Sequence, residues 1–183
     1  MRNIVIAGSS GLGKTFLEEE LEKRNITFQL PKYFDRENRK GERKDKNISI
    51  DSNEWKIAEK DFFFRLEYNG QNYGWKKSDI INNNPVSLAI TLKDLRQFLE
   101  ENKDFLPILL WIKKGNFEIL EKRMIKRGES QEKIRDRLKL ADEELKMMDE
   151  YKRLVKSYGG KVFEIRDDKT IFEEVIPEIM ALE

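Results

Sequence analysis

Residues 8–15 are the feature that most restricts what this chain can fold into. They read Gly-Ser-Ser-Gly-Leu-Gly-Lys-Thr, which matches the pattern G-x-x-x-x-G-K-[ST]. The apolar run 4–7 stands directly before the pattern, and a helical pattern begins directly after it at Phe16. A strand, loop and helix in this order indicate a phosphate-binding loop rather than a chance glycine-rich turn.

Each residue type in this loop has a chemical reason to be there. Glycines let the backbone curl so that its N–H groups point at phosphate oxygens, and Lys14 can reach the outer phosphates. The hydroxyl of Thr15 can ligate Mg²⁺. We therefore expect ATP and Mg²⁺ as cofactors, with Thr15 as the metal ligand. The residues predicted to bind ATP are Gly8, Ser9, Ser10, Gly11, Leu12, Gly13, Lys14 and Thr15.

Composition limits the remaining chemistry. The chain of 183 residues has no Cys and no His, which excludes disulfides, thiolate chemistry and histidine-based zinc sites or proton relays. Charged residues make up 39% of the chain but balance to a net charge of +1, which argues against a broad nucleic-acid-binding face. No apolar run approaches the length of a membrane span, and no signal peptide is recognisable. We expect a cytoplasmic protein with one domain over residues 1–183.

The hydrophobic pattern predicts an alternating α/β fold. Strands are expected at 3–7, 26–30, 85–91, 105–112 and 161–165, and helices at 14–24, 92–102, 115–127, 130–158 and from 170 onward. Thr91 is expected to cap the second of these helices, and Ser52 a short helix that ends near residue 59. This order predicts a three-layer P-loop fold with a parallel core sheet.

A second, smaller β region is predicted between residues 32 and 83. The runs 62–68 and 71–75 alternate as strands do, and Asn69-Gly70 between them is a typical hairpin dipeptide. Residues 31–46 are highly charged and poor in apolar side chains, so we expect them on the surface beside the site and outside the core.

Four motifs, in order along the chain, carry a family resemblance: the phosphate loop, two motifs in the predicted smaller β region, and a two-part motif in the C-terminal half. After the phosphate loop come Arg36-x-x-Arg39-x-x-Glu42 and Gly70-Gln71-Asn72-Tyr73-Gly74. Residues 120–128 then fit L-x-x-R-x-x-x-R-G, and residues 134–144 fit I-x-x-R-L-x-x-A-x-x-E. In this combination the chain resembles the guanylate kinase family.

The resemblance implies ATP-dependent phosphoryl transfer to a nucleoside monophosphate. It implies that the acceptor is bound by Arg36, Arg39, Glu42 and Tyr73. It also implies a helical lid at about 123–145 and a catalytic set of Lys14, Arg123, Arg127 and Arg137. Arginine suits these roles because its planar fork grips phosphate and stays charged. Each assignment has a purely structural alternative. Arg123 and Arg127 could belong to a solvated helix face, and Arg36 and Arg39 to an ordinary charged loop. Tyr73 could be an aromatic residue in the core of the hairpin.

The base-reading part of the family pattern is altered. Leu88-Ala89-Ile90-Thr91 stands where the family has L-D-I-D, so both carboxylates are missing. Phe64 aligns with the glutamate that reads guanine, and Trp75 with a small hydroxyl residue. Glu67 could substitute only if the hairpin register shifted. Three interpretations stay open: a kinase with an altered base pocket, an ATP-binding regulatory or protein-binding module that has lost transfer, or another phosphoryl transferase or NTPase.

Overall fold

The computed structural model describes residues 2–38, 42–68, 70–80 and 84–182. The strands are β1 (Asn3–Ala7), β2 (Phe28–Gln29), β3 (Lys32–Phe34), β4 (Asn47–Ser49), β5 (Phe62–Tyr68), β6 (Gln71–Lys76), β7 (Val86–Ile90), β8 (Phe105–Trp111) and β9 (Lys161–Glu164). The α-helices are α1 (Lys14–Lys23), α2 (Ser52–Ala58), α3 (Leu95–Glu101), α4 (Phe117–Lys126), α5 (Gln131–Lys146), α6 (Met148–Ser157) and α7 (Ile176–Met180). A π-helical turn, Ile171–Val175, leads into α7.

The core sheet has the strand order β2-β7-β1-β8-β9, and its neighbouring strands run parallel. β1 lies in the middle, with Ala7 opposite Ile90 of β7 and Leu109 of β8. Its apolar residues are buried, as expected for a parallel strand covered on both faces. Because β1 ends at Ala7, the phosphate loop begins at the carboxyl edge of the sheet, where open α/β sheets bind ligands.

Helices cover both faces of this sheet, which confirms the predicted three-layer α/β fold. On one face a buried apolar cluster joins α1, α4 and α5 through Leu17, Leu120 and Ile134. On the other face, Phe98 of α3 and Val155 of α6 pack in a cluster that also includes residues of the smaller sheet. The smaller sheet is therefore fixed to the core sheet on the face that α3 and α6 cover.

The smaller sheet has the order β4-β3-β6-β5 and lies within the predicted segment 32–83. β5 and β6 form the predicted antiparallel hairpin, in which Leu66 pairs with Tyr73 and Glu67 with Asn72. β3 pairs antiparallel with β6 and parallel with β4. Asn69 of the expected turn lies outside the described residues.

The charged stretch 31–46 does not stay outside the core, contrary to the prediction. It contributes β3, whose Phe34 is fully buried and packs against Tyr73 with 5.9 Å between ring centroids. Local composition hid this strand, because its pairing partner β6 is about 40 residues away.

Three helix boundaries also differ from the sequence expectation. Asp51, not Ser52, caps α2 and forms a capping box with Glu54. Thr91 does not cap α3, because a turn precedes the helix and the Thr91 hydroxyl donates to the side chain of Asp94 instead. The single helix expected at 130–158 is broken at Met147 into α5 and α6.

Candidate active site

The phosphate loop has the close backbone packing that its glycines allow. Gly13 has a φ of 91°, a left-handed conformation that favours glycine, and a Cβ added there would lie 2.8 Å from Ile171 Cδ1. A Cβ on Gly8 would lie 2.4 Å from the carbonyl oxygen of Leu110. Side chains at these positions would displace the loop from β8 and from the π-helical turn.

Lys14 is held inside the loop. Its Nζ donates to the carbonyl oxygens of Gly8 at 2.6 Å and of Ser9 at 3.0 Å. Enclosure of the amine lowers the pKa of Lys14 to about 8, although the nearby Glu144 carboxylate favours its charged form. The structure thus places a preorganised cation where the loop would cradle phosphates.

Side chains from α4 and α5 hold three successive residues of the loop. Arg123 Nη1 donates to the Gly11 carbonyl at 2.9 Å, and Arg137 Nη1 to the Ser10 hydroxyl at 2.7 Å. The Ser9 hydroxyl donates to Glu144 at 2.5 Å.

These contacts bring two of the predicted catalytic arginines against the loop. Arg127 lines the adjoining cleft. Asp168 binds Arg123, and Glu129 binds Arg137. Arg123 is therefore not simply part of a solvated helix face, because its side chain is only 18% exposed.

Three of the four predicted acceptor residues, Arg36, Glu42 and Tyr73, come together beside the smaller sheet. Arg36 makes a bidentate pair with Glu42, with N–O distances of 2.6 and 2.8 Å. Its Nε donates to the Tyr73 hydroxyl at 3.3 Å, and its guanidinium lies 4.0 Å from the centre of the Phe34 ring. Arg39, the fourth predicted acceptor residue, lies outside the described residues.

One cleft of about 730 Å³ joins the two sides. Lys14 and Thr15 line it from the loop, and Arg36 and Glu42 line it from the smaller sheet. The other charged residues along its wall are Glu19, Lys32, Arg43, Arg127, Glu129, Lys133 and Arg137. Cations outnumber carboxylates here, which suits a cleft that receives two phosphate-bearing molecules.

The wall between β5, β6 and β7 is apolar and aromatic. Leu66, Tyr68, Trp75, Ala89 and Thr91 line it. The carboxylates among the cleft-lining residues that the structure describes lie elsewhere, at Glu19, Glu42 and Glu129.

Neither candidate for the base-reading position reaches this wall. Phe64 is a core residue, packed edge-on against Phe98 with centroids 4.8 Å apart. Glu67 is exposed, and the hairpin pairing places it on the outer face with Arg65.

Three charged residues, Lys32, Glu18 and Glu144, were not predicted as site residues from the sequence. Glu18 is only 3% exposed, and burial raises its pKa to about 8 against the opposing charges of Lys32 and Lys14. Glu144, which accepts from Ser9, has a pKa raised by burial. Glu18 could have been found from its position beside Leu17 on the buried stripe of α1, which is unusual for a carboxylate.

Thr15 is the residue that could ligate Mg²⁺ here. Over the described ranges, no three His, Cys, Asp or Glu side chains are grouped as a metal site. Mg²⁺ binds through nucleotide phosphates and retains waters, so a single hydroxyl beside the loop suits an ion that arrives with its nucleotide. Separately, none of the helices in the described parts of the chain is long and apolar enough to cross a membrane.

Comparisons with known sequences point to one family. The family model described as guanylate kinase matches residues 1–159. Guanylate kinase of Clostridium tetani (strain Massachusetts / E88) is 34% identical over 157 residues, covering 81% of this chain and 74% of the relative. Guanylate kinase of Mycoplasmopsis pulmonis (strain UAB CTIP) is 35% identical over 162 residues, covering 81% and 83%.

A solved structure is similar in fold. The crystal structure of guanylate kinase from Anaplasma phagocytophilum superposes with a TM-score of 0.69 at 17% identity, covering 99% of this chain and 86% of that one.

Proposed function

Because the chain belongs to the guanylate kinase family, we propose that it transfers the γ-phosphoryl group of ATP to a nucleoside monophosphate and has lost strong preference for guanine. The observation that carries the proposal is a single cleft lined both by the phosphate loop and by the Arg36–Glu42–Tyr73 group. A nucleotide in the loop and a monophosphate on Arg36 would face each other across it.

The donor is held by the backbone of residues 8–15 and by Lys14. Loop N–H groups and the amino end of α1 stabilise phosphate charge, and the Lys14 amine neutralises the outer phosphates. Thr15 would hold Mg²⁺, which when bound offsets charge on the phosphate oxygens.

The acceptor phosphate is held by Arg36 and the Tyr73 hydroxyl, with Arg39 assigned by family resemblance. Glu42 fixes the Arg36 guanidinium in place through the bidentate pair. With the guanidinium held in this way, the acceptor phosphate would approach beside Tyr73, whose hydroxyl accepts a hydrogen bond from Arg36 Nε.

In the transfer step an oxygen of the acceptor phosphate attacks the γ-phosphorus of ATP. A new P–O bond forms, the bond from the γ-phosphorus to the β–γ bridging oxygen breaks, and ADP and a nucleoside diphosphate result. Catalysis consists mainly of positioning and charge neutralisation. Arg127 and Arg137 line the cleft where this charge develops, and Arg123 supports the loop at Gly11.

Guanine selectivity would be lost because, among the cleft-lining residues that the structure describes, the wall between β5, β6 and β7 carries no carboxylate to accept from the guanine N1 and N2 hydrogens. Leaving such groups unpaired costs about 1 to 3 kcal/mol each, or roughly one to two orders of magnitude in preference. The apolar wall of Leu66, Trp75 and Ala89 discriminates weakly between bases.

The experiment is to measure kcat/KM for ADP release with GMP, AMP, UMP, CMP and dTMP in turn. We expect transfer to at least one of them, without a strong advantage for GMP. A strong GMP preference that collapses in Glu67→Gln would show that Glu67 reads guanine in solution. ATP binding without transfer to any of them would instead favour an ATP-binding module.

A further inference from the structure

Glu144 is a charged residue at the phosphate loop to which the proposed mechanism gives no role. It ends the motif at residues 134–144 and lies half-buried in the last turn of α5. Its Oε2 accepts a hydrogen bond from the Ser9 hydroxyl at 2.5 Å, across 135 residues of chain. A carboxylate from α5 is therefore bonded directly to the second residue of the loop.

The Ser9 side chain is turned away from the cleft. Ser9 is only 5% exposed. Ser10 and Gly11, which follow it, line the described part of the cleft, whereas Ser9 does not. The Ser9 hydroxyl thus donates to Glu144 behind the loop, and it is not placed to donate to a phosphate in the cleft.

The backbone of Ser9 carries this contact on to Lys14. The Ser9 carbonyl oxygen accepts from Lys14 Nζ at 3.0 Å and from the backbone N–H of Leu12 at 3.4 Å. The hydroxyl and the carbonyl belong to one residue, so a change in the position of Ser9 would move the Lys14 amine and the turn at Leu12. Glu144 thereby reaches the phosphate-binding amine without touching the nucleotide.

α5 holds the loop at two successive residues. Arg137 lies seven residues before Glu144, which places both on one helix face, and its Nη1 donates to the Ser10 hydroxyl at 2.7 Å. Groups that are already held in their bound arrangement lose less conformational freedom when a ligand arrives, and affinity is higher for that reason. Release of Ser9 should therefore weaken nucleotide binding.

We infer that Glu144 is a positioning residue for the donor nucleotide, and that it holds Ser9, and through Ser9 the Lys14 amine, where the loop receives the outer phosphates of ATP. The inference rests on the proposed function for the identity of the donor. It adds a residue that acts from behind the loop.

Charge and geometry predict opposite effects for the loss of Glu144. A carboxylate near bound phosphates repels them, so an effect of charge alone would leave ATP affinity equal or higher when the carboxylate is removed. Loss of the hold on Ser9 would lower that affinity, because a buried hydroxyl is left without its partner and the loop is released. The sign of the change therefore separates the two roles.

The test is Glu144→Ala, compared with Glu144→Gln, in which an acceptor remains at the same distance from the helix. We expect ATP affinity by calorimetry to fall about tenfold in Glu144→Ala, as for loss of one hydrogen bond to a charged group. Glu144→Gln should stay within about threefold of the parent. The matched control is Glu143→Ala, at the exposed neighbouring position on α5. Parent-like affinity in Glu144→Ala, or equal losses in Glu144→Ala and Glu144→Gln, would overturn the inference.

A double-variant comparison tests whether the effect passes through Ser9. Ser9→Ala should lose about as much ATP affinity as Glu144→Ala, and Ser9→Ala/Glu144→Ala should lose little more than either variant, because both remove the same contact. Losses that add in the double variant would overturn the inference. In steady-state kinetics the KM for ATP should rise while the KM for the monophosphate stays near that of the parent. An equal rise in both would indicate a general loosening of the fold and would also overturn it.

A further variant separates positioning from stability. Ser9→Ala/Glu144→Leu removes both polar partners, so it should recover much of the unfolding midpoint lost in Glu144→Ala. We expect its ATP affinity to stay low, since an apolar contact does not orient Ser9. Recovery of affinity together with the midpoint would show that the contact serves stability alone.

Binding of ATP alone keeps this result distinct from failure of the proposed function. Calorimetry with ATP and no monophosphate needs no transfer, so the comparison of Glu144→Ala with the parent decides the inference even if the parent transfers to no monophosphate. In that case the proposed function would fail while the role of Glu144 in donor binding would stand or fall on the affinities.

Discussion

Arg36 shows how the surroundings of one side chain define its use. Glu42 accepts hydrogen bonds from both terminal nitrogens, and the Tyr73 hydroxyl accepts one from Nε. The Phe34 ring stacks against the guanidinium. A lysine could not reproduce this fork, because its amine is a point charge without planar geometry. The side chain is only 8% exposed, so its position is fixed before a phosphate arrives.

Lys14 gives the prediction at this scale. Lys14→Ala should weaken ATP binding by about 10- to 100-fold, the range for charge-assisted hydrogen bonds, and should abolish measurable transfer. The unfolding midpoint should change little, because loss of two hydrogen bonds is offset by removal of an enclosed charge. Calorimetry measures the ATP affinity, and thermal unfolding measures the midpoint. The control is Lys23→Ala, at an exposed position at the far end of α1. Parent-like ATP affinity would refute the donor-loop assignment.

At the scale of elements, α1 connects the donor and acceptor sides. Lys14, Glu18 and Glu22 follow one another at i, i+4 spacing and so share one helix face. Glu22 binds Arg43 at 2.8 Å and the buried Lys46 at 2.6 Å. The stretch that leads into β4 is thus fixed to the helix that begins in the loop.

Glu18 makes the stability of this element depend on pH. Its pKa is raised from 4.5 to about 8 by burial, so between these values the folded chain binds more protons than the unfolded chain. The contribution of Glu18 to the free energy of unfolding should therefore fall from about pH 5 to about pH 8 and then level off. Thermal unfolding should show a shallower slope for Glu18→Gln than for the control Glu19→Gln. Identical slopes would contradict the burial of Glu18.

The α4–α5 segment gives a second prediction at this scale. Residues 123–145 carry Arg127 and Arg137 on the cleft and Glu144 on the loop. We expect ATP together with a monophosphate to increase amide protection there, since bound phosphates would add charge-assisted hydrogen bonds to these arginines. Hydrogen exchange with and without both ligands measures this. Unchanged protection would argue for a static helical face.

At the scale of the whole molecule, the sequence best predicted the features that depend on residues close together in the chain. The phosphate loop and the buried strands β1 and β8 follow from glycine spacing and apolar runs, so the parallel core was predictable. The burial of Phe34 was not, because it depends on pairing with β6 far along the chain. Lys32 and Glu144 were missed for the same reason, since their significance comes from neighbours that only the fold supplies.

The most direct test of the account is transfer of label from ATP that carries ³²P at the γ position. The protein is mixed with Mg²⁺ and each monophosphate separately, and the products are separated by chromatography. We predict that label moves to a nucleoside diphosphate in the parent and that none moves in Lys14→Ala. Label that stays on ATP with every monophosphate, or that appears only as inorganic phosphate, would contradict the assignment as a nucleoside monophosphate kinase.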